Sequence, residues 1–466
     1  MAGKGKSGFF GGIHPTDGFD KALTDQKPVR NYEPKTVTIY LNQSLTGGCR
    51  PLVSQGDRVT QGQLIARSEG FARDHLHASV TGRVVQIKEV EEQGKFREAF
   101  VIERETDRKE PEAPEKNRTY EEGFPDLSGY TREDILKGIM EGGLVGMGGA
   151  GFPTYKKYDG QKLDWLLINA AECEPYLTCD HRLMLEEGYR VLNGVRLLLK
   201  ASGARKAYIC MEENKQDAAM HLMELMAGSK EQGKEVSGKD RLQESVEIRL
   251  LPVRYPQGGE RQLIQTVLGV EVPMGGLPAS VGAVVSNVGT AAAACDAVLG
   301  GKPLTHRIVT VTGLVKEPGN YRVPLGTPIR ELLSACGGVS AEKNRVIIGG
   351  PMTGNCAAVD WDGEELPFVT KTTSGVVVLP EFSSEEQPCI RCGGCAQVCP
   401  AGLTPFQIDS AYREEDYDLC ETLYASECIA CGCCSYICPA RRELTWTVRS
   451  ARDMVKQRMR ERKAAK

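Results

Sequence analysis

No stretch of this 466-residue chain reaches the ~18 consecutive apolar residues that would span a bilayer. The nearest candidate, Val281 to Leu299, is interrupted by Ser286, Asn287, Gly289, Thr290 and Asp296, and reads as a small-residue helix packed against a sheet. Met1 to Ser7 is basic with no apolar core after it, so neither a membrane span nor a secretory signal is expected. Strong charge of one sign is also missing. A formal net charge of −4 gives no overall pull towards nucleic acid or anionic lipid. With 41% hydrophobic and 26% charged residues the composition is that of a globular protein. The length is too great for one core and implies roughly three to five domains.

The cysteines do not form the paired knuckles of structural zinc or a disulfide framework. Cys389-x-x-Cys392-x-x-Cys395-x-x-x-Cys399-Pro400 and Cys428-x-x-Cys431-x-x-Cys434-x-x-x-Cys438-Pro439 hold eight of the seventeen at bacterial ferredoxin spacing. Three thiolates two residues apart wrap backbone around one 4Fe-4S cluster, and the fourth, before proline, serves the other. Cys389, Cys392, Cys395 and Cys438 are therefore expected on one cluster, and Cys399, Cys428, Cys431 and Cys434 on the second. Cys433 is out of register and reads as a spare buried thiol. The remaining unpaired cysteines suit a reducing compartment.

Residues 1–40 read as an extended segment. From 41 to 105, apolar and polar positions alternate around Gly56, Gly62, Gly70 and Gly82, as short antiparallel strands would. Val53 to Ala66 and His77 to Ile87 resemble the biotinyl/lipoyl barrel-sandwich hybrid. Residues 67–82 contain no lysine, so a swinging carrier arm is not expected and a scaffold role is. His75 and His77 read as solvated loop residues. Residues 106–130, charged and proline-bearing, read as a linker. From 131 to 303, apolar runs such as Trp165 to Ile168 and Ala207 to Cys210 alternate with helical stretches, which predicts a parallel sheet covered by helices. Residues 304–370 follow a strand, hairpin, helix, strand order similar to the soluble-ligand-binding β-grasp module, with nothing catalytic visible. Residues 375–440 form the α-helical, ferredoxin-like two-cluster domain. The tail, 441–466, has ten basic and three acidic residues and reads as a solvated helix or a contact for a membrane partner.

A second signal is the glycine-rich stretch Gly142 to Gly151, followed by Phe152-Pro153-Thr154 and Lys156-Lys157. Glycine at this density lets backbone approach a ligand closely. It lacks the context of the dinucleotide fingerprint, because no hydrophobic strand directly precedes it and no acid follows at the ribose spacing. Asn169-Ala-Ala-Glu172-Cys-Glu174-Pro175 follows a predicted strand, at the edge where open α/β sheets bind ligands. Gly258-Gly259-Glu260-Arg261 and Ser286-Asn287-Val-Gly-Thr290 occupy similar positions. Four polar loops are thus expected to line one pocket.

Together these motifs resemble the FMN- and NADH-binding subunit of respiratory complex I. With Phe9-Phe-Gly-Gly-Ile-His14-Pro15, the barrel-sandwich segment, the β-grasp module and the two terminal clusters, the chain resembles more closely the RnfC component of Rnf ion-translocating ferredoxin:NAD oxidoreductases. The resemblance implies a Rossmann-like FMN/NADH-binding domain at 131–303. It puts the FMN phosphate near Gly146, Gly148, Gly149 and Lys157, and Asn169, Glu172, Asn287 and Thr290 around the flavin or its ribityl chain. NAD(H) would lie near Gly151, Phe152, Glu174 and Glu260. Ala171 and Gly259 depart from the complex I pattern, which has acids there. The implied function is electron transfer between NAD(H), FMN and two 4Fe-4S clusters, in a peripheral subunit on the cytoplasmic face of the membrane. Its implied partners are membrane and iron-sulfur subunits of the complex, and ferredoxin indirectly, with no nucleic acid. Two competing readings are a soluble cobalamin reductase of the propanediol-utilisation type, whose clusters would precede the β-grasp module, and a non-catalytic electron-relay docking subunit.

Overall fold

The computed structural model describes residues 8–15, 21–43, 48–68, 74–92, 95–106, 119–158, 160, 163–228, 245–340, 344–357, 366–381 and 385–464. The N-terminal unit packs one antiparallel sheet, ordered Thr36–Tyr40, Lys95–Arg104, Gly82–Glu92, Arg58–Val59, on a smaller one, ordered Arg50–Pro51, Leu64–Arg67, Leu76–His77. Val37, Ile39, Ile65, Val84, Phe100 and Ile102 fill the space between them. His75 and His77 correct the sequence expectation: they are 7% and 8% exposed, not solvated. Burial, with Lys371 and His75 nearby, pushes the His77 imidazole down to about 3.

The second unit is built on a four-stranded sheet ordered Val246–Leu251, Lys206–Glu212, Trp165–Asn169, Ala283–Asn287, parallel throughout. Trp165-Leu-Leu-Ile168 is a near-continuous apolar run because a central parallel strand is covered on both faces. The segment Val281 to Leu299, expected to be one helix, divides at Asn287 into the fourth strand and the helix Val288–Leu299. Its alanines let it lie against the helix Gly188–Ser202 so closely that a Cβ on Gly194 would stand 1.8 Å from the Ala291 carbonyl oxygen. Residues 119–130, read as part of a linker, are packed here too, with Tyr120 and Leu127 buried.

The third unit is a six-stranded sheet that extends past both expected ends. Val29–Asn31, from the N-terminal segment, pairs parallel with Gly319–Pro324. Gly375–Pro380, placed by sequence at the start of the cluster domain, lies between His306–Gly313 and Asn344–Ile348. In the fourth unit, the helices Pro405–Arg413 and Tyr417–Thr422 occupy the segment between the two cysteine runs. The basic tail forms the helix Leu444–Ala464, which buries Leu444, Thr447, Val448, Ala451 and Val455 and leaves Trp446 exposed.

Three of these units meet at one side chain. Lys371, in the β-grasp unit, is ion-paired with Asp74 of the barrel unit and donates to the His75 and Gly143 carbonyls, each at 2.8 Å. Gly143 lies at the start of the glycine-rich loop, at φ +66°, and a Cβ there would collide with the His75 carbonyl oxygen at 2.2 Å.

Candidate functional site

The helix Arg132–Glu141, started by a capping box between Thr131 and Asp134, leads into the glycine-rich loop. A helix rather than a strand therefore precedes the glycines. The loop closes as a small excursion: Val145 bridges Pro153, Gly146 N donates to the Phe152 carbonyl at 2.8 Å, and Thr154 N to the Leu144 carbonyl at 3.0 Å. Gly148, Gly149, Ala150 and Phe152 stand exposed at its tip, while Gly151 turns at φ +71° and is buried.

The strand ends come to meet it. Asn169 and Asn287 end two neighbouring strands and are register partners. The strand order reverses there, between the first and last strands of the sheet, where doubly wound folds bind ligands. Asn169 Nδ2 donates to the Gly258 carbonyl at 2.8 Å, which joins the 258–261 loop. Asn287 Oδ1 caps the helix Val288–Leu299 by accepting from Gly289 N at 2.8 Å, and its Nδ2 donates to Asp180 at 2.7 Å. Thr290 Oγ1 accepts from Met147 N at 3.0 Å, tying that helix to the glycine loop. A Cβ on Gly148 would stand 2.8 Å from Asn287 Nδ2, so the loop backbone passes directly over this asparagine. Lys157 Nζ donates to the Val285 carbonyl at 3.0 Å and lies 3.7 Å from Glu260, the first residue of the helix Glu260–Leu268.

Gly146, Gly148, Lys157, Asn169, Asn287, Thr290 and Glu260 are thus brought to one end of the sheet. The two remaining acids are engaged elsewhere. Glu172, at φ +46°, accepts from the backbone N–H groups of Asp180 and His181 and serves as the cap of the helix Cys179–Glu186, which Thr178 does not cap. Burial, partly offset by Lys21, pushes its carboxyl up to about 7. Glu174 reaches into the β-grasp unit, where it accepts from Met352 N at 3.0 Å and from the Thr353 hydroxyl. Lys21, beside them, holds the carbonyls of Glu172 and Glu174 at 2.8 and 2.9 Å. Lys21 and the buried Arg307 escape sequence reasoning because both come from outside the domain they touch.

The cysteines enclose two hollows. Cys399, Cys428, Cys431 and Cys434 line one, and Cys389, Cys392, Cys395 and Cys438 line the other. The two runs repeat one backbone conformation. Arg391 and Ala430 both lie at φ +54°, rare for non-glycine residues, and Gly393 and Gly432 follow at +75° and +84°. This turn aims amides at sulfur: Arg391 N lies 3.4 Å from Cys389 Sγ, and Ala430 N 3.3 Å from Cys428 Sγ. Four thiols around each hollow, with N–H donors directed at sulfur, fit a 4Fe-4S cluster. Burial pushes Cys428 and Cys434 up, to about 11 and about 12, so cluster assembly must displace their protons. The glycine loop over Asn287 and the adjoining helix N-terminus likewise fit a phosphorylated flavin.

Four family models match in chain order. They are the RnfC barrel sandwich hybrid domain over residues 7–107, the Nuo51 FMN-binding domain over 139–296, the SLBB domain over 308–355 and a 4Fe-4S dicluster domain over 382–439. The corresponding component of the Na(+)-translocating ferredoxin:NAD(+) oxidoreductase complex of Acetobacterium woodii is 38% identical over 459 residues, 97% of this chain and 98% of that protein. Its counterpart in the proton-translocating ferredoxin:NAD(+) oxidoreductase complex of Clostridium ljungdahlii is 37% identical over 429 residues, 89% of this chain and 88% of that one. The chain belongs to the RnfC family. A further member, from the ion-translocating oxidoreductase complex of Rhodobacter capsulatus, is 34% identical over 420 residues, 88% of this chain and 75% of that protein.

As an RnfC-family protein, the chain is an electron-transfer component of a multi-subunit complex and carries an FMN-binding and a 4Fe-4S dicluster domain. An NAD+-reducing [NiFe]-hydrogenase in the H2-reduced state shares the fold at a TM-score of 0.51 and 21% identity, covering 72% of this chain and 64% of that one. Among the described residues, no helix is long and apolar enough to cross a membrane.

Proposed function

We propose that this protein itself exchanges electrons with NAD(H), through FMN in the strand-end pocket and then through the two clusters in a fixed spatial order. The observation that carries this reading is the unequal placement of the two hollows. Tyr255, from the flavin unit, donates its hydroxyl to the Cys431 carbonyl at 2.7 Å. Tyr255, Ile13 and the fully buried Cys433 form one apolar cluster, against which Cys173 and Cys431 pack. Cys173 accepts from Gly258 N at 3.2 Å, beside Asn169. Cys399, Cys428, Cys431 and Cys434 therefore line the inner site, packed against the pocket wall. Cys389 and Cys392 are exposed and mark an outer site facing solvent.

FMN would be held by Gly146, Gly148, Gly149 and Lys157 on the loop side, and by Asn169, Asn287 and Thr290 at the strand ends, with Glu172 acting indirectly by capping the helix whose Asp180 accepts from Asn287. NAD(H) would enter over Gly151, Phe152 and Glu260, with Glu174 bracing the floor from the β-grasp side. When bound, FMN converts the two-electron hydride chemistry of nicotinamide into one-electron steps that clusters accept. The packed wall at Cys173, Tyr255 and Cys433 keeps water away from the inner site, and the exposed outer site offers an exit to a partner protein. We place the protein at the cytoplasmic face of the membrane as a peripheral component, with its partners over the outer site.

Two variants test the order. Cys392→Ala and Cys434→Ala should each lose about four irons. In the first, NADH should still reduce the remaining inner cluster, seen by electron paramagnetic resonance, while transfer to an added one-electron acceptor slows. In the second, the remaining outer cluster should be reduced by NADH far more slowly than in the parent. Equal rates of outer-cluster reduction with and without the inner cluster would overturn the order.

A further inference from the structure

One buried charge reaches the flavin unit from outside it. Arg307 lies on the strand His306–Gly313 of the β-grasp sheet, past the FMN-binding family match, which ends at residue 296. It is 4% exposed, and its Nε donates to the Thr373 carbonyl at 3.3 Å. Among the described residues, its two terminal amino groups have no hydrogen-bond partner and no carboxylate within 4.0 Å. One of those amino groups lies 3.6 Å from the point where a Cβ on Gly289 would stand. The same point is 3.5 Å from Met147 Cε of the glycine-rich loop.

Gly289 sits in the first turn of the twelve-residue helix Val288–Leu299. The first amides of a helix have no partner within it, and the helix dipole makes that end positive. An arginine keeps its charge at any accessible pH, and a buried charge that its surroundings do not fully offset is costly. Two positive features facing one another across a glycine repel unless an anion lies between them. Asp180 is the nearby counter-charge, but it also accepts from Asn287 at 2.7 Å, and burial outweighs its attraction for the guanidinium. Lys157, the other cation at this end of the sheet, is occupied by Glu260 and the Val285 carbonyl.

We propose that Arg307, with the N-terminus of the helix Val288–Leu299, binds the phosphate of the flavin, so that the β-grasp unit completes the flavin site. The inference rests on the flavin reading above. It also gives the β-grasp unit a chemical role that its sequence does not display.

The test compares FMN with riboflavin, which differ in the phosphate alone. Apo-flavin protein with clusters loaded is titrated with each, for the parent and for Arg307→Met and Arg307→Lys, with iron content and circular dichroism as checks on folding. Arg307→Met should weaken FMN by about 10- to 100-fold while leaving riboflavin within about 3-fold, and Arg307→Lys should recover part of the loss. Equal weakening of both flavins, or no change in either, would overturn the proposal. Weakening confined to NADH would assign Arg307 to the dinucleotide phosphates and also overturn it. A parent protein that binds neither flavin would reject the underlying flavin reading, a result distinct from all of these.

Discussion

Replacing Lys371 by methionine removes a buried cation at which three units meet. Lys371 and Asp74 have side chains 1% and 2% exposed, and the pair is joined by the carbonyls of His75 and Gly143. The substitution leaves the Asp74 carboxylate buried without a counter-charge, which costs about 3–5 kcal/mol. Two carbonyls lose a donor as well. Gly143 lies at the start of the glycine loop, so its release should also loosen flavin binding. Asp74→Asn in the Lys371→Met background removes the orphaned charge and should recover about half of the stability. The assay is a double-mutant cycle on the midpoint of thermal unfolding, with FMN affinity measured on the same four proteins. A strong positive coupling is expected, with iron content unchanged, because the cysteine hollows lie in a separate unit. Additive single-variant effects, or a loss from Lys371→Met below about 1 kcal/mol, would refute the account of this contact.

Two further outcomes follow from close contacts and from burial. Gly194→Ala forces a Cβ against the Ala291 carbonyl and should cost ~1–3 kcal/mol, read as a lower unfolding midpoint at unchanged iron content. Glu172, with Lys21, Asp180 and Lys215 around it, has a carboxyl raised to about 7 in the folded chain from an ordinary value of 4.5. The native state therefore holds a proton that the unfolded state has released. Its contribution to stability is full below about 4.5 and is lost as pH rises through about 7. Glu172→Gln should flatten the fall in unfolding midpoint between about pH 5 and pH 7.5, and an unchanged slope would reject that assignment.

Features set by local spacing were the easiest to read from sequence. Ferredoxin-type ligand runs are written in consecutive residues, and four cysteines from two such runs line each hollow. The parallel sheet was equally plain, because Trp165 to Ile168 and Ala207 to Cys210 are apolar throughout. Long-range pairing was opaque. Val29–Asn31 is a three-residue edge strand whose partner lies nearly three hundred residues away, and no local pattern marks it. Gly375–Pro380 falls, by sequence, at the start of the cluster domain, and only its pairing shows that it completes the β-grasp sheet. Glu174 stands in a motif that suggests a ligand contact, yet its carboxylate meets Met352 and Thr353 across a domain boundary. Arg307, Lys371 and Lys21 carry no motif at all. Lys371 and Lys21 find their partners in a neighbouring unit, and Arg307 is buried where its unit meets the glycine-rich loop.

The most direct test of the central claim is an anaerobic NADH titration of the cluster-reconstituted, flavin-loaded protein, after FMN and iron have been quantified. Absorbance would follow the flavin, and electron paramagnetic resonance the clusters. The account predicts close to one FMN and about eight irons per chain, with NADH bleaching the flavin and reducing clusters. Full iron with no bound flavin and no response to NADH would contradict it, and would leave the chain a cluster relay without its own nicotinamide chemistry.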